Sequence, residues 1–294
     1  MPDFDVDAAT RFMAQHARVL DRRRFDLLCG TGDAVSMLGA LEGYRNPDGG
    51  YGWGIEPDLR SPESQPAGAL HALEVFAEAA PETSPDAAEL CDWLEFATLA
   101  DGGLPFALPV TDPAGCAPFW AGADAETSSL HITTAVCSMA YRVAAHDADV
   151  AGHPWLAAAT DYCLGEIETM SEPPHAIALM YILHFLDAMV DSHPDVESTL
   201  RRVVADHLPA NGTMQVAGGL EDERLRPLDF SPYPDRPLRA LIDADAVAAD
   251  RARWAAGQQD DGGWTVDFTN YSPIAALEWR GYATMRAISL LREP

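Results

Sequence analysis

Two pairs of carboxylates stand where acid–base chemistry could be done. Asp124 and Glu126 lie in Asp124-Ala125-Glu126-Thr127-Ser128, at the expected start of a helix over 127–145. Glu56 and Asp58 lie with Arg60 in a loop that follows a polar turn and the aromatic residues Tyr51 and Trp53. Glu126, oriented by Asp124, is the candidate acid if it points into a dry cavity. Should the Glu56–Asp58 loop face it across a common mouth, the two pairs would suit a glycosidic bond. Each pair also has a plainer reading. Asp124 or Thr127 can cap the helix with Glu126 in its first turn, and the loop carboxylates can be solvated beside Arg60.

Aromatic residues accompany these groups. Trp53, Phe119, Trp120, Tyr141, Tyr181, Phe185, Trp279 and Tyr282 would line a cavity for an apolar small molecule, or stabilise a cation through their ring faces; plain core packing accounts for the same spacing.

The elements that must position them repeat. Asn46-Pro47-Asp48-Gly49-Gly50 is a turn by residue type, followed by an acidic loop, Ser64-Gln65-Pro66 and an apolar run to Ala79. Gln259-Asp260-Asp261-Gly262-Gly263-Trp264 leads likewise into a helix over 274–291, and Asp101-Gly102-Gly103 leads into 127–145. Asp48 and Asp101 are 53 residues apart, and Asn211 and Asp261 are 50 apart. Such periods fit stacked two-helix units, with one degenerate turn expected near 153–165. Segments 67–79, 127–145, 175–190 and 274–291, apolar nearly all round, read as inner helices. Segments 33–43, 86–99, 155–170, 196–208 and 244–256 read as outer ones, and 4–25 as a further helix ending in the solvated cluster Arg22-Arg23-Arg24. The long connections 100–126 and 209–237 are expected at one rim.

Gln259 to Trp264 resembles the QxxDGGW signature of the prenyltransferase and squalene-cyclase repeat, and Asn46 to Trp53 is a looser copy. The resemblance implies an all-α fold, an α/α toroid of five to six helix pairs in one domain over 1–294. It also implies a terpene-cyclase-like enzyme acting on an apolar, isoprenoid small molecule. Asp124 to Ser128 is similar to the DxDDT acid motif of class II terpene cyclases: Asp124 matches its first Asp and Glu126 its central acid, while Thr127 replaces the last Asp. In that family the central acid protonates an alkene or epoxide. A carbohydrate-active toroid and a non-catalytic lipid- or partner-binding toroid are the alternatives.

A net charge of −27, with nineteen Arg and no Lys, makes nucleic acid a poor partner. Five scattered cysteines without a CxxC, and an acidic N-terminus, lead to an expected cytoplasmic location. The longest apolar run, 176–190, falls short of the ~20 residues a bilayer span needs, which leaves peripheral membrane contact open. No cofactor is expected, and no metal: His131, Cys137, Cys163, His175 and His184 have no spacing that demands zinc, and P-loop and Rossmann fingerprints are absent.

Overall fold

Proline at the first helical position, or an oxygen-bearing cap before it, starts most of the helices. Asp5, Asp33, Ser129 and Asp243 each accept a backbone N–H of the first turn. The computed structural model describes residues 4–292, which are mostly helical, with fourteen α-helices and almost no strand. The helices are α1 (Val6–His16), α2 (Val19–Leu28), α3 (Ala34–Leu41), α4 (Pro66–Glu78), α5 (Pro85–Ala97), α6 (Pro118–Ala121) and α7 (Leu130–Ala144). They continue with α8 (Ala148–Ala151), α9 (Pro154–Thr169), α10 (Ala176–Met189), α11 (Val196–His207), α12 (Pro227–Phe230), α13 (Ala244–Ala256) and α14 (Pro273–Arg292). Strands β1 (Met214–Gln215) and β2 (Arg224–Leu225) form a small antiparallel hairpin.

Four turns share one geometry, which places the repeat on a physical footing. The side-chain oxygens of Asp48, Asp101, Asn211 and Asp261 each accept the N–H two residues on, at 3.0, 3.2, 3.1 and 3.2 Å. The glycine between takes a positive φ in all four. At Gly262 the close approach also matters, because a Cβ there would run into the backbone of Ala8 on α1. The following strand-like residue is pinned to a helix threonine in two units: Thr133 accepts Leu104 N–H at 2.9 Å and Thr284 accepts Trp264 N–H at 3.0 Å.

Helix α7 is central, packed on α4, α9 and α10. The main apolar core surrounds it, and a second cluster of Phe12, Trp254, Trp264 and Ile288 ties α1, α13 and α14 together. Helix α14, which covers the last segment read as inner, packs chiefly on α1, α2 and α13.

Other expectations are corrected. Residues 4–25 are not one helix: the chain breaks at Ala17 and Arg18, both extended, because Arg18 turns inward to hold the carbonyls of Gly54 and Ile55 and the carboxylate of Asp21. Arg24 is buried, not solvated, between Glu74 and Glu78 of α4. Residues 154–165 belong to α9, so the missing turn is not there; the short link 170–175 joins α9 to α10. The long connection after α11 does not sit at one rim. It runs the length of α10, with Ala217 O at His175, Asp229 O at His184 and Leu238 N at Asp187.

Trp264 is buried, and its indole N–H donates to Trp254 O at 2.7 Å. Truncating such an aromatic removes packing on three helices, so Trp264→Ala should lower stability by about 3–5 kcal/mol in urea unfolding. A midpoint unchanged from wild type would contradict this role.

Candidate functional site

Helices that are otherwise apolar carry one polar and aromatic stripe each, at the 3–4-residue spacing of a single face. The stripe is His71, Glu74 and Glu78 on α4, Tyr181 and His184 on α10, and Glu278, Trp279, Tyr282 and Arg286 on α14. Helix α7 adds His131 at its start and Arg142 near its end. Glu74, Tyr181, His184, Trp279, Tyr282 and Arg286 keep accessible surface although helices surround them; the Arg286 side chain is 30% exposed. Their common front is therefore a hollow. Tyr282 reaches across it from α14, donating its hydroxyl to Glu74 at 2.8 Å.

Glu74 is the hub. One of its oxygens receives Tyr282, the other receives Arg24 at 3.2 Å and lies 3.2 Å from His71 Nδ1. The opposite ring nitrogen of His71 lies 2.8 Å from Glu56. Burial alone would push His71 toward neutrality, but the charge of Glu74 and the hydrogen bonds to Glu56 and Glu74 outweigh it and raise its pKa to about 9. Burial likewise works against the Glu74 anion, yet the His71 charge, Arg24 and Tyr282 hold it at about 2. His71 and Glu74 are thus an ion pair at neutral pH, with Glu56 on the far ring nitrogen. The next donor along the loop is the Asp58 N–H, which goes to Glu56 Oε1 at 2.9 Å.

Asp58 differs from its neighbours. One oxygen accepts the Trp279 indole N–H at 2.8 Å, while Oδ1 is buried without a hydrogen-bond partner among the described residues. Burial, reinforced by the nearby Glu56 charge and opposed by the Trp279 indole, the Tyr271 backbone N–H and Arg60, lifts its pKa to about 6. Its backbone carbonyl is tied to Ala117 N at 2.8 Å, which brings α6 over the loop. Arg18, just before α2 and held by Asp21, and Glu278 of α14, which pairs with the loop's own Arg60, brace the same loop. Aromatic faces continue from there: Phe119 edges onto Tyr271, Trp120 stacks on Phe106 at 4.4 Å, and His131 stacks between Phe106 and Tyr181.

The sequence candidates divide on this map. Glu56, Asp58, Tyr181, Trp279 and Tyr282 come together, with Trp120 and Phe119 at the edge. Asp124 and Glu126 do not join them. Both are exposed, and Asp124 accepts Glu126 N–H and the Thr127 hydroxyl in a local turn that delays α7 to Leu130. Trp53 is turned to solvent at a φ of +56°, its indole bonded to Asn46. Tyr141 and Phe185 are core: Tyr141 bonds Thr160 of α9, and Phe185 has no exposed surface. Missed by sequence reasoning were His71, Glu74, Arg142, Asp229, Tyr233 and Arg286. The readable signal was a charged residue recurring inside apolar helices.

Metal ligation finds little support in the donors. His131 and His184 are enclosed in the aromatic lining, Cys137 and Cys163 lie in the core, and His175 caps α10. Asp92, Glu95 and His153 meet on the surface. There His153 Nδ1 accepts Trp155 N–H at 3.2 Å, so the ring proton sits on the nitrogen facing Asp92 and not on the one a metal would leave free. Among the described residues no helix is long and apolar enough to cross a membrane. The chain is similar to no protein-family model and to no curated protein sequence.

The raised pKa of His71 fixes a sign. Its contribution to stability is complete below about 6.5 and disappears as pH rises through about 9. The thermal midpoint should fall across that window, and the fall should be missing in His71→Gln. An identical pH profile for both proteins would show that His71 and Glu74 are not charged as described.

Proposed function

We propose that this protein is an α/α toroid that uses Asp58 as the proton donor to a small molecule held in its hollow. The inner ring would be α2, α4, α7, α10, the segment 217–238 and α14, with α1, α3, α5, α9, α11 and α13 outside. The return of α14 onto α1 and α2, and the run of 217–238 along α10, support that arrangement.

The observation that carries the chemistry is the state of Asp58: buried, oriented through one oxygen, unpartnered at the other, and titrating near 6. An acid of that pKa keeps a protonated fraction near neutrality and can release it to a bound group. Trp279, with Phe268 and Tyr282 packed edge-on against it, offers ring faces to positive charge developing beside the acid. The reading is therefore an acid-initiated reaction of an alkene or epoxide, isoprenoid in the first instance, with Asp58 in the role first assigned to Glu126. Cleavage of a glycosidic bond is the second reading. The polar groups deeper in the hollow favour it, since a pure hydrocarbon would leave them unanswered.

Asp58→Asn keeps the shape and removes the proton. With polyprenoid epoxides or aryl glycosides as substrates and products followed by mass spectrometry, it should lower turnover roughly 100- to 10,000-fold. Wild-type turnover should decline as pH rises through about 6. Glu126→Gln should match wild type. A fully active Asn variant would overturn the assignment.

A further inference from the structure

The far end of the hollow differs chemically from the Asp58 end. Arg142 of α7 lies flat on Tyr233, its guanidinium carbon 3.4 Å from the ring centre. It makes no hydrogen bond or ion pair with any described residue, although it is largely buried. Every other arginine whose charge reaches the hollow has a carboxylate: Arg24 has Glu74 and Glu78, and Arg286 has Asp229 at 2.8 Å. The acid nearest Arg142 along the wall, Asp187, is engaged by Leu238 N–H at 2.8 Å and by Arg236 at 3.7 Å.

The surroundings of Arg142 supply donors. The hydroxyls of Tyr181 and Tyr233 have no partner among the described residues, and both phenols stay protonated because burial raises their pKa. His184 is neutral, pulled down to about 4 by burial, so it adds no competing charge. Arg142, Arg286, Glu74 and Glu78 lie near enough to Tyr233, and Arg286, Glu74 and Tyr233 near enough to Tyr181, to bear on the titration of those phenols.

We propose that this end of the hollow is an anion subsite, in which Arg142, Tyr233 and Tyr181 hold a singly charged oxyanion, a carboxylate, at one end of the substrate. A planar guanidinium with a full set of in-plane donors matches the two oxygens of a carboxylate, and phenol hydroxyls can complete its hydrogen bonds. Charge decides against a more highly charged group. Glu74, Glu78, Asp229 and Asp187 are already answered by Arg24, Arg286 and Arg236, so the one guanidinium without a carboxylate balances a single negative charge and leaves a diphosphate under-neutralised. The substrate class is then an amphiphilic monocarboxylic acid, its body against the aromatic wall and its reacting group toward Asp58. This rests on the hollow being the substrate site proposed above.

The test is calorimetric titration of the full-length protein with octanoate, benzoate and inorganic pyrophosphate. Octanoate should bind saturably to wild type and at least tenfold more weakly to Arg142→Gln, with Arg142→Lys, which keeps the charge but not the planar fork, falling between them. Asp58→Asn should bind octanoate as wild type does. Equal octanoate affinity in wild type and Arg142→Gln, no binding to wild type, or tighter binding of pyrophosphate than of octanoate would each overturn the subsite. An Asp58→Asn protein that remains fully active but binds octanoate normally would overturn the acid assignment and leave the subsite standing.

Discussion

A buried carboxylate needs several donors at once, and Glu74 finds them on three helices. Arg24 comes from α2, His71 from its own helix α4, and Tyr282 from α14. No single helix could satisfy it, so an ionised Glu74 is stable only when α2, α4 and α14 are together. That makes the charge a registration device: it sets which faces of the three helices look at one another. His71 passes the constraint on to Glu56, and Glu56 to the backbone of Asp58. The geometry of the candidate acid thus depends on the hub beneath it.

The two ends of the hollow then follow from different solutions to burial. Near Glu74 every charge is matched, and the result is rigid. At Asp58 the match is incomplete, with the Trp279 indole the one well-formed donor, and burial moves its titration toward neutrality. At Arg142 the charge lies on an aromatic face instead of against a carboxylate. Incompletely matched polar groups in an otherwise satisfied interior are where a ligand has something to contribute.

The turns are legible in sequence because their physics is local. An Asp or Asn followed by glycine bends the chain the same way wherever it occurs, and Asp48, Asp101, Asn211 and Asp261 all do so. The same holds for the helices at 66–78, 176–189 and 244–256, whose apolar patterns set their extents. Glu56 and Asp58 were legible as candidates because their loop adjoins such a turn. Their ranking below Asp124 and Glu126 was not, since two acids near a helix start look alike until one is seen capping in solvent and the other buried.

By itself the sequence determined the repeated turn, the all-helical class and the alternation of one-sided and all-round apolar helices, each a matter of neighbours within a few positions. Only the tertiary structure decided that Arg24 is buried and that Glu126 faces water. It also decided that 217–238 lies along α10, and that Glu56, His71, Glu74 and Tyr282 are joined in one hydrogen-bonded chain. The reason is that these outcomes turn on burial and on partners more than 200 residues apart, such as Tyr282 for Glu74. A side chain's desolvation and its distant counter-charges are properties of the packed whole.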